Sequence, residues 1–323
     1  MIFKSIFSGR LEFGSARSFE QVLKMFEHRR ENYYKMEVIF KSEDIFKAET
    51  ASVDIPRFIT QASEKNWRNT VNLLEQVAQF AVAGDLSAWM TDNGKVLLQA
   101  VIEPQGDKAA VQAFIQGREL MGTVGKEDEA MKALTRAIEK FERHALAYER
   151  RGYINLRLRN YADALYDFSK SIDYNPDRAD AYFGRAFVYI VQNNLSAAIS
   201  DFELAIKHSI PLQPIYWKAR RIKAECLLKM EDYKGAAADL KFVTQREFNP
   251  EDSNYKWRRK ALHNYGKALL GLNEKADALK ALQQALAITA GEGDATDADI
   301  QALIDKIQVS NEQPPRRAVA SAV

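Results

Sequence analysis

Ala145–Arg178 reads ALAYERRGYINLRLRNYADALYDFSKSIDYNPDR, and the segment that follows it, Ala179–Leu212, reads ADAYFGRAFVYIVQNNLSAAISDFELAIKHSIPL. The two align without a gap over 34 residues. Tyr148 and Tyr182 share position 4, Gly152 and Ala186 position 8, and Ala164 and Ala198 position 20. Phe168 and Phe202 share position 24, and Ser171 and Ala205 position 27. Self-similarity at a fixed period is the mark of a repeat architecture. Small residues at positions 8, 20 and 27 let two helices approach closely, while the large ones fill the space between units. Each unit leaves an apolar face that only a neighbour covers, so several are needed.

This pattern resembles the tetratricopeptide repeat, a helix–turn–helix unit that stacks into a superhelix. Pro176 closes the first segment where such repeats carry proline; Pro211 arrives one place late in the second. The spacing extends upstream to Val111–His144, through Phe114, Met121, Ala130, Leu134 and Ala137, although Arg118 stands where a small residue is expected. Downstream, Ala224, Tyr233, Ala236, Leu240 and Val243 define a unit from Trp217. Leu262, Gly266, Leu269, Ala278, Leu282 and Ala285 define another from Arg259. Five repeats therefore start at 111, 145, 179, 217 and 259, with the extra residues of the last two steps assigned to Pro211–Pro214 and Arg246–Lys256. Thr296 reads as the N-cap of a closing helix over 296–309, with Ile300, Leu303, Ile304 and Ile307 on one face. Residues 310–323 read as a loose tail.

The fold expected is mainly α: a superhelix over 106–309 behind an N-terminal α+β or helical region over 1–105. In that region Ser18–Lys35 and Ser63–Ala83 read as helices, the second ending at Gly84. Ile2–Phe13, Glu37–Lys41 and Ser87–Ile102 read as strands, with Asp92-Asn93-Gly94 as a hairpin signal.

Position 7 of the three central repeats is Arg151, Arg185 or Lys223, and sixteen residues later stand Asp167, Asp201 and Asp239. Both members vanish together in the first and fifth repeats. They are therefore expected to pair, across one hairpin or with the adjacent repeat, because a buried cation without a partner is heavily penalised.

The chain has 323 residues, 46 Lys or Arg and 44 Asp or Glu. A net charge of +2 argues against a general nucleic-acid binder and leaves only local patches. One cysteine, Cys226, rules out an intrachain disulfide framework and fits a reducing compartment, with cytoplasm the default. No run of 18 apolar residues spans a bilayer. His28, His144, His208 and His263 never fall at metal-ligand spacing, so no metal and no cofactor are expected. Gly122–Lys126 is too short for a phosphate loop and lacks the Ser or Thr that should follow. Gly291–Asp294 reads as a linker. No catalytic residue is assigned.

The resemblance implies that positions 2, 5, 9, 12 and 13 of each repeat line a concave groove. That would place Tyr153, Arg157, Phe183 and Phe187 in it, followed by Lys218, Arg221, Lys260, His263 and Lys267. The groove would be apolar in the middle and basic toward its C-terminal end. Segment 217–267 holds 13 Lys or Arg against 7 Asp or Glu. The Lys/Asn/Asn/Lys/Arg set with which some members of the family clamp chaperone tails is not supplied by any three consecutive repeats. The implied function is a non-catalytic adaptor holding a partner's peptide or helix, with acidic residues drawn to the basic end. Phe183 and Phe187 could equally be ordinary core. Two other functions stay open: a structural subunit that self-associates, and an enzyme or nucleic-acid binder built on the N-terminal region around Arg29, Arg30, Tyr33, Tyr34 and Lys35.

Overall fold

The computed structural model describes residues 1–291 and 293–312. The tail expected over 310–323 therefore lies outside it from residue 313 onward. The chain divides into two compact units, Met1–Val188 and Tyr189–Val323.

The first unit opens with a five-stranded antiparallel sheet of order β2-β3-β1-β4-β5. Its strands are β1 (Phe3–Glu12), β2 (Phe46–Lys47), β3 (Ser52–Ala62), β4 (Ala83–Asp92) and β5 (Lys95–Ile102). One face carries α1 (Ala16–Asn32), the single-turn α2 (Ser42–Ile45) and α3 (Glu64–Ala78). The alternation of β1 and β4 sends Phe7, Leu11, Leu86, Ala88 and Met90 into this face, where they meet Phe19, Val22, Phe26, Trp67 and Leu74. Ser63 caps α3, accepting from the Asn66 N–H.

Three local expectations are corrected here. The second helix stops at Ala78, and Gly84 lies in β4 rather than ending a helix. Gly84 has φ +101, and a Cβ there would sit 2.0 Å from the Arg10 carbonyl oxygen, so glycine is required by the approach of β1. Glu37–Lys41 is irregular, because its buried residues Val38 and Phe40 fill the core from a loop. The strand actually present, β3, was hidden by Pro56. Between Phe7/Phe58 and Gly9/Ile55 the register skips, so Pro56 and Arg57 stand opposite Ser8 in a bulge, where a missing N–H is tolerated. The Asn93–Gly94 turn joins β4 to β5 with φ +47 and +81, as a two-residue hairpin requires.

Helix hairpins follow: α4 (Ala109–Leu120) with α5 (Glu127–Lys140), and α6 (Ala145–Arg157) with α7 (Tyr161–Tyr174). Next come α8 (Ala179–Val191), α9 (Leu195–Lys207), α10 (Pro214–Lys229) and α11 (Tyr233–Gln245). The series ends with α12 (Arg258–Gly271), α13 (Lys275–Leu286) and α14 (Asp297–Glu312). The added residues of the fourth and fifth repeats fall between α9 and α10 and between α11 and α12.

The fifteenth residue of every repeat is left-handed: Gly125, Arg159, Asn193, Glu231 and Asn273, with φ between +57 and +82. In the last four, the next N–H reaches back to close the helix end, as Asn160 N–H does to the Asn155 carbonyl at 2.8 Å. A register inferred from side chains thus recurs in the backbone. Phe168 plugs the space between repeats in the first unit, its ring set against Gly152 and Gly184. In the second unit α14 covers the last apolar face with Ile300, Ile304 and Ile307. Thr296 and Asp299 cap it reciprocally, each side chain accepting from the other's N–H.

Candidate functional site

Two of the expected charged pairs, Arg151–Asp167 and Lys223–Asp239, have a common geometry. Arg151 donates to Asp167 at 2.7 Å within its own hairpin and to Thr135 Oγ1 at 3.1 Å on the preceding one. Asp167 is almost wholly buried and also accepts from Asn155. Burial pushes its carboxyl up, against the pull of Arg151. Lys223 repeats the arrangement, with Asp239 at 2.8 Å and Glu203 of the preceding helix at 3.4 Å. Arg185 donates to Ser169 Oγ on the preceding hairpin, and Asp201 is buried on α9. Arg151 and Lys223 each join their own hairpin to the preceding helix.

Two turn arginines of the first unit's repeats reach its N-terminal sheet, and one of them also holds the inner-face Glu149. Glu149, at position 5, is fully buried and accepts two hydrogen bonds from Arg178, whose other nitrogen donates to Asp85 on β4 at 2.6 Å. Arg143, in the α5–α6 turn, donates to Glu12 on β1 at 2.7 Å and to the Thr50 carbonyl. Tyr153 lies edge-on to Phe168 and donates to the Asp180 carbonyl at 2.7 Å. Burial, with Glu149 as the next cause, pushes the Asp180 carboxyl up to about 6. Arg157 is exposed and reaches Glu127 at 3.2 Å. Phe183, expected to face an open groove, is 5% exposed, its ring 5.0 Å from that of the half-buried Phe187. Phe183 is core, and its ring offers no open surface for an anchor.

The second unit is different. Its inner-face positions converge on a hollow of about 700 Å³. Glu225, Leu228 and Lys229 enter from α10, and Lys260, Asn264, Lys267 and Leu270 from α12. Leu303 and Lys306 of α14 close one side. The Tyr233 ring rests on Gly271, where a Cβ would come within 2.3 Å of it. Lys260 bonds Glu225 at 3.1 Å, and Arg221 bonds the same carboxylate at 2.8 Å. Among the described residues, Lys229, Lys267 and Lys306 have no carboxylate within ion-pair distance. Glu231 also lines the hollow, so its wall holds four lysines against two glutamates and keeps a net positive charge beside apolar Leu228, Leu270 and Leu303.

A family model for the tetratricopeptide repeat matches residues 123–172 and 156–214. Residues 123–214 thus match the tetratricopeptide repeat. Tetratricopeptide repeat protein 13 of Homo sapiens is 29% identical over 119 residues, 37% of this chain and 14% of its own length. Protein SGT1 homolog of Bos taurus is 33% identical over 73 residues, 23% of this chain and 22% of its own length. The chain thus spans less than a quarter of either curated relative. Among solved structures, MamA is 17% identical with a TM-score of 0.46, over 56% of this chain and 91% of its own. YrrB, described as a TPR protein with an unusual peptide-binding site, is 18% identical with a TM-score of 0.45, over 63% of this chain and 92% of its own.

In tetratricopeptide terms, the hollow collects positions 9, 12 and 13 of the fourth repeat and 2, 9, 12 and 13 of the fifth. Of the basic residues expected to bind, Lys260 and Lys267 line it, while exposed Lys218 and half-buried His263 do not. Arg221 is 5% exposed, its guanidinium lying 4.3 Å from the centre of the Trp257 ring. Asn264, Leu303 and Lys306 were not anticipated. The spacing of Leu303 and Lys306 puts them on one face of α14, a signal masked by the stronger isoleucine stripe beside them.

Outside the hollow, the Cys226 thiol is buried and pushed up to about 11, mainly by desolvation, which makes it a poor nucleophile. Among the described residues no cluster of three or more His, Cys, Asp or Glu is placed to hold a metal ion. No helix among them is long and apolar enough to cross a membrane.

Proposed function

We propose that the protein is a non-catalytic interaction module that grips an acidic, extended segment of a partner protein between its fourth and fifth repeats and α14. One observation carries this reading: four lysines, Lys229, Lys267 and Lys306 among them, surround one hollow with only Glu225 and Glu231 to offset them, on the face that tetratricopeptide hairpins turn inward. A carboxylate entering there replaces water around the ammonium groups with charge-assisted hydrogen bonds, and the leucines cover the aliphatic parts of the same segment. Tyr233 and the Arg221–Glu225–Lys260 network supply a preorganised floor.

The test is affinity purification of partners from cell extract with wild-type bait and with the triple variant Lys229→Glu, Lys267→Glu, Lys306→Glu. These side chains are exposed, so the fold should survive. The variant should lose the wild-type partners, and a fluorescent peptide of alternating Glu and Leu should bind it at least tenfold more weakly. Recovery of the same partners in the same amounts would remove the hollow as the binding site.

A further inference from the structure

The N-terminal sheet ends in two unlike ways. On one side the last strand is the two-residue β2, and on the other it is the eight-residue β5. An edge strand presents a row of unpaired N–H and C=O groups, and proteins blunt such edges with short strands, charges or proline. On the β2 side, that strand covers only Ser52 and Val53 of β3, and the bare remainder of β3, residues 54–62, is interrupted by Pro56 and Arg57 in the bulge. The β5 edge, Lys95-Val-Leu-Leu-Gln-Ala-Val-Ile102, has no proline and a single charge at its first residue. Val96, Leu97 and Val101 on it are 45%, 47% and 54% exposed.

We propose that β5 pairs antiparallel with β5 of a second copy of this chain, about a two-fold axis at Gln99, merging two five-stranded sheets into one. The choice of occupant comes from self-complementarity. In this register Gln99 faces its own copy, Leu98 faces Ala100, and exposed Leu97 faces exposed Val101, twice by symmetry. Just beyond, Lys95 falls opposite Glu103. Glu103 already accepts from Arg118 at 2.7 and 2.8 Å, but a carboxylate has lone pairs left for an ammonium group. Sliding the pairing by two residues in one direction sets Glu103 against Leu97 and breaks both matches. Leu97 has no partner on β4, because the register skips between Met90 and Thr91, and pairing with β4 resumes at Val96 and Lys95. This inference is independent of the basic hollow.

The experiment combines light scattering with cysteine cross-linking on the full chain. Wild type should be a dimer at micromolar concentration, and Val101→Lys, an exposed change confirmed folded by circular dichroism, should be a monomer. Gln99→Cys should link two chains under mild oxidation, because directly opposed residues hold their Cβ atoms about 4.5–5.5 Å apart. Buried Cys226 should leave wild type unlinked. Val101→Cys alone should not link, whereas a mixture of Leu97→Cys and Val101→Cys chains should. A monomeric wild type, a dimer that survives Val101→Lys, or Val101→Cys chains that self-link as readily as Gln99→Cys would overturn the proposal. So would a monomer whose β5 captures an added extended peptide.

Discussion

Phe168 is fully buried where the second repeat meets the third, and two glycines make room for it. A Cβ at Gly184 would come within 2.3 Å of the ring, against 3.0 Å at Gly152. Alanine in a helix is worth about 1 kcal/mol over glycine, so the two sites should diverge. Gly152→Ala is expected to be near neutral, because a small shift of the ring relieves the contact. Gly184→Ala is expected to lower stability by roughly 1–3 kcal/mol through overpacking. Urea unfolding of the two variants checks the order, and equal stabilities would remove Phe168 as a tight wedge. Position 8 was readable from the sequence alone because the alignment repeats it. Gly184, at position 6, was not, since its neighbour in space belongs to the preceding repeat.

At the scale of the hairpin, the turn after each first helix is set by one left-handed residue. Asn193 and Asn273 suit that conformation, glycine suits it best, and Glu231 pays for a Cβ held near the following carbonyl. Glu231→Gly is therefore expected to raise stability by about 1 kcal/mol, less whatever the more flexible unfolded chain gives back. Thermal unfolding measures it, and a fall in midpoint would mean that the Glu231 side chain contributes more than its strain costs. The helices of the repeats were legible because their periodicity is reinforced five times over. The N-terminal strands were only partly so: β4 and β5 announced themselves by Asn93–Gly94, whereas β3 hid behind Pro56, whose bulge is defined only by its partner strand. The basic hollow was half legible. Lys260 and Lys267 followed from the repeat positions, but which lysines remain unpaired depends on Glu225, and Lys306 depends on where α14 docks.

For the molecule as a whole, the acid side of the stability curve is set by groups buried without full compensation. His144 is 1% exposed and accepts the Ala147 N–H through Nδ1 as the cap of α6, and burial pushes its imidazole down to about 3. An unfolded histidine takes a proton near pH 6.5, so the unfolded state gains protons that the native state refuses. Stability is therefore complete above about pH 6.5 and declines as pH falls toward 3, by about 1.4 kcal/mol per unit at most. Asp180, pushed up to about 6, acts in the opposite sense: its contribution is present below about pH 3.8 and is lost as pH rises toward 6. His144→Asn keeps a capping acceptor and removes the titration. Between pH 7 and pH 5 the variant should lose roughly 2 kcal/mol less than wild type in urea melts. An identical loss would show that the imidazole titrates normally in the fold.

The strand order also has a kinetic consequence. β1, the earliest element of the sheet to be synthesised, lies at its centre, flanked by β3 and by β4, whose Thr91 pairs with Lys4. Until the ribosome has released the chain as far as Asp92, the middle of the sheet has at least one bare side. During that interval Ile6, Phe7 and Leu11 depend on transient shelter, so nascent-chain chaperones should engage this protein early and leave once the fourth strand has docked.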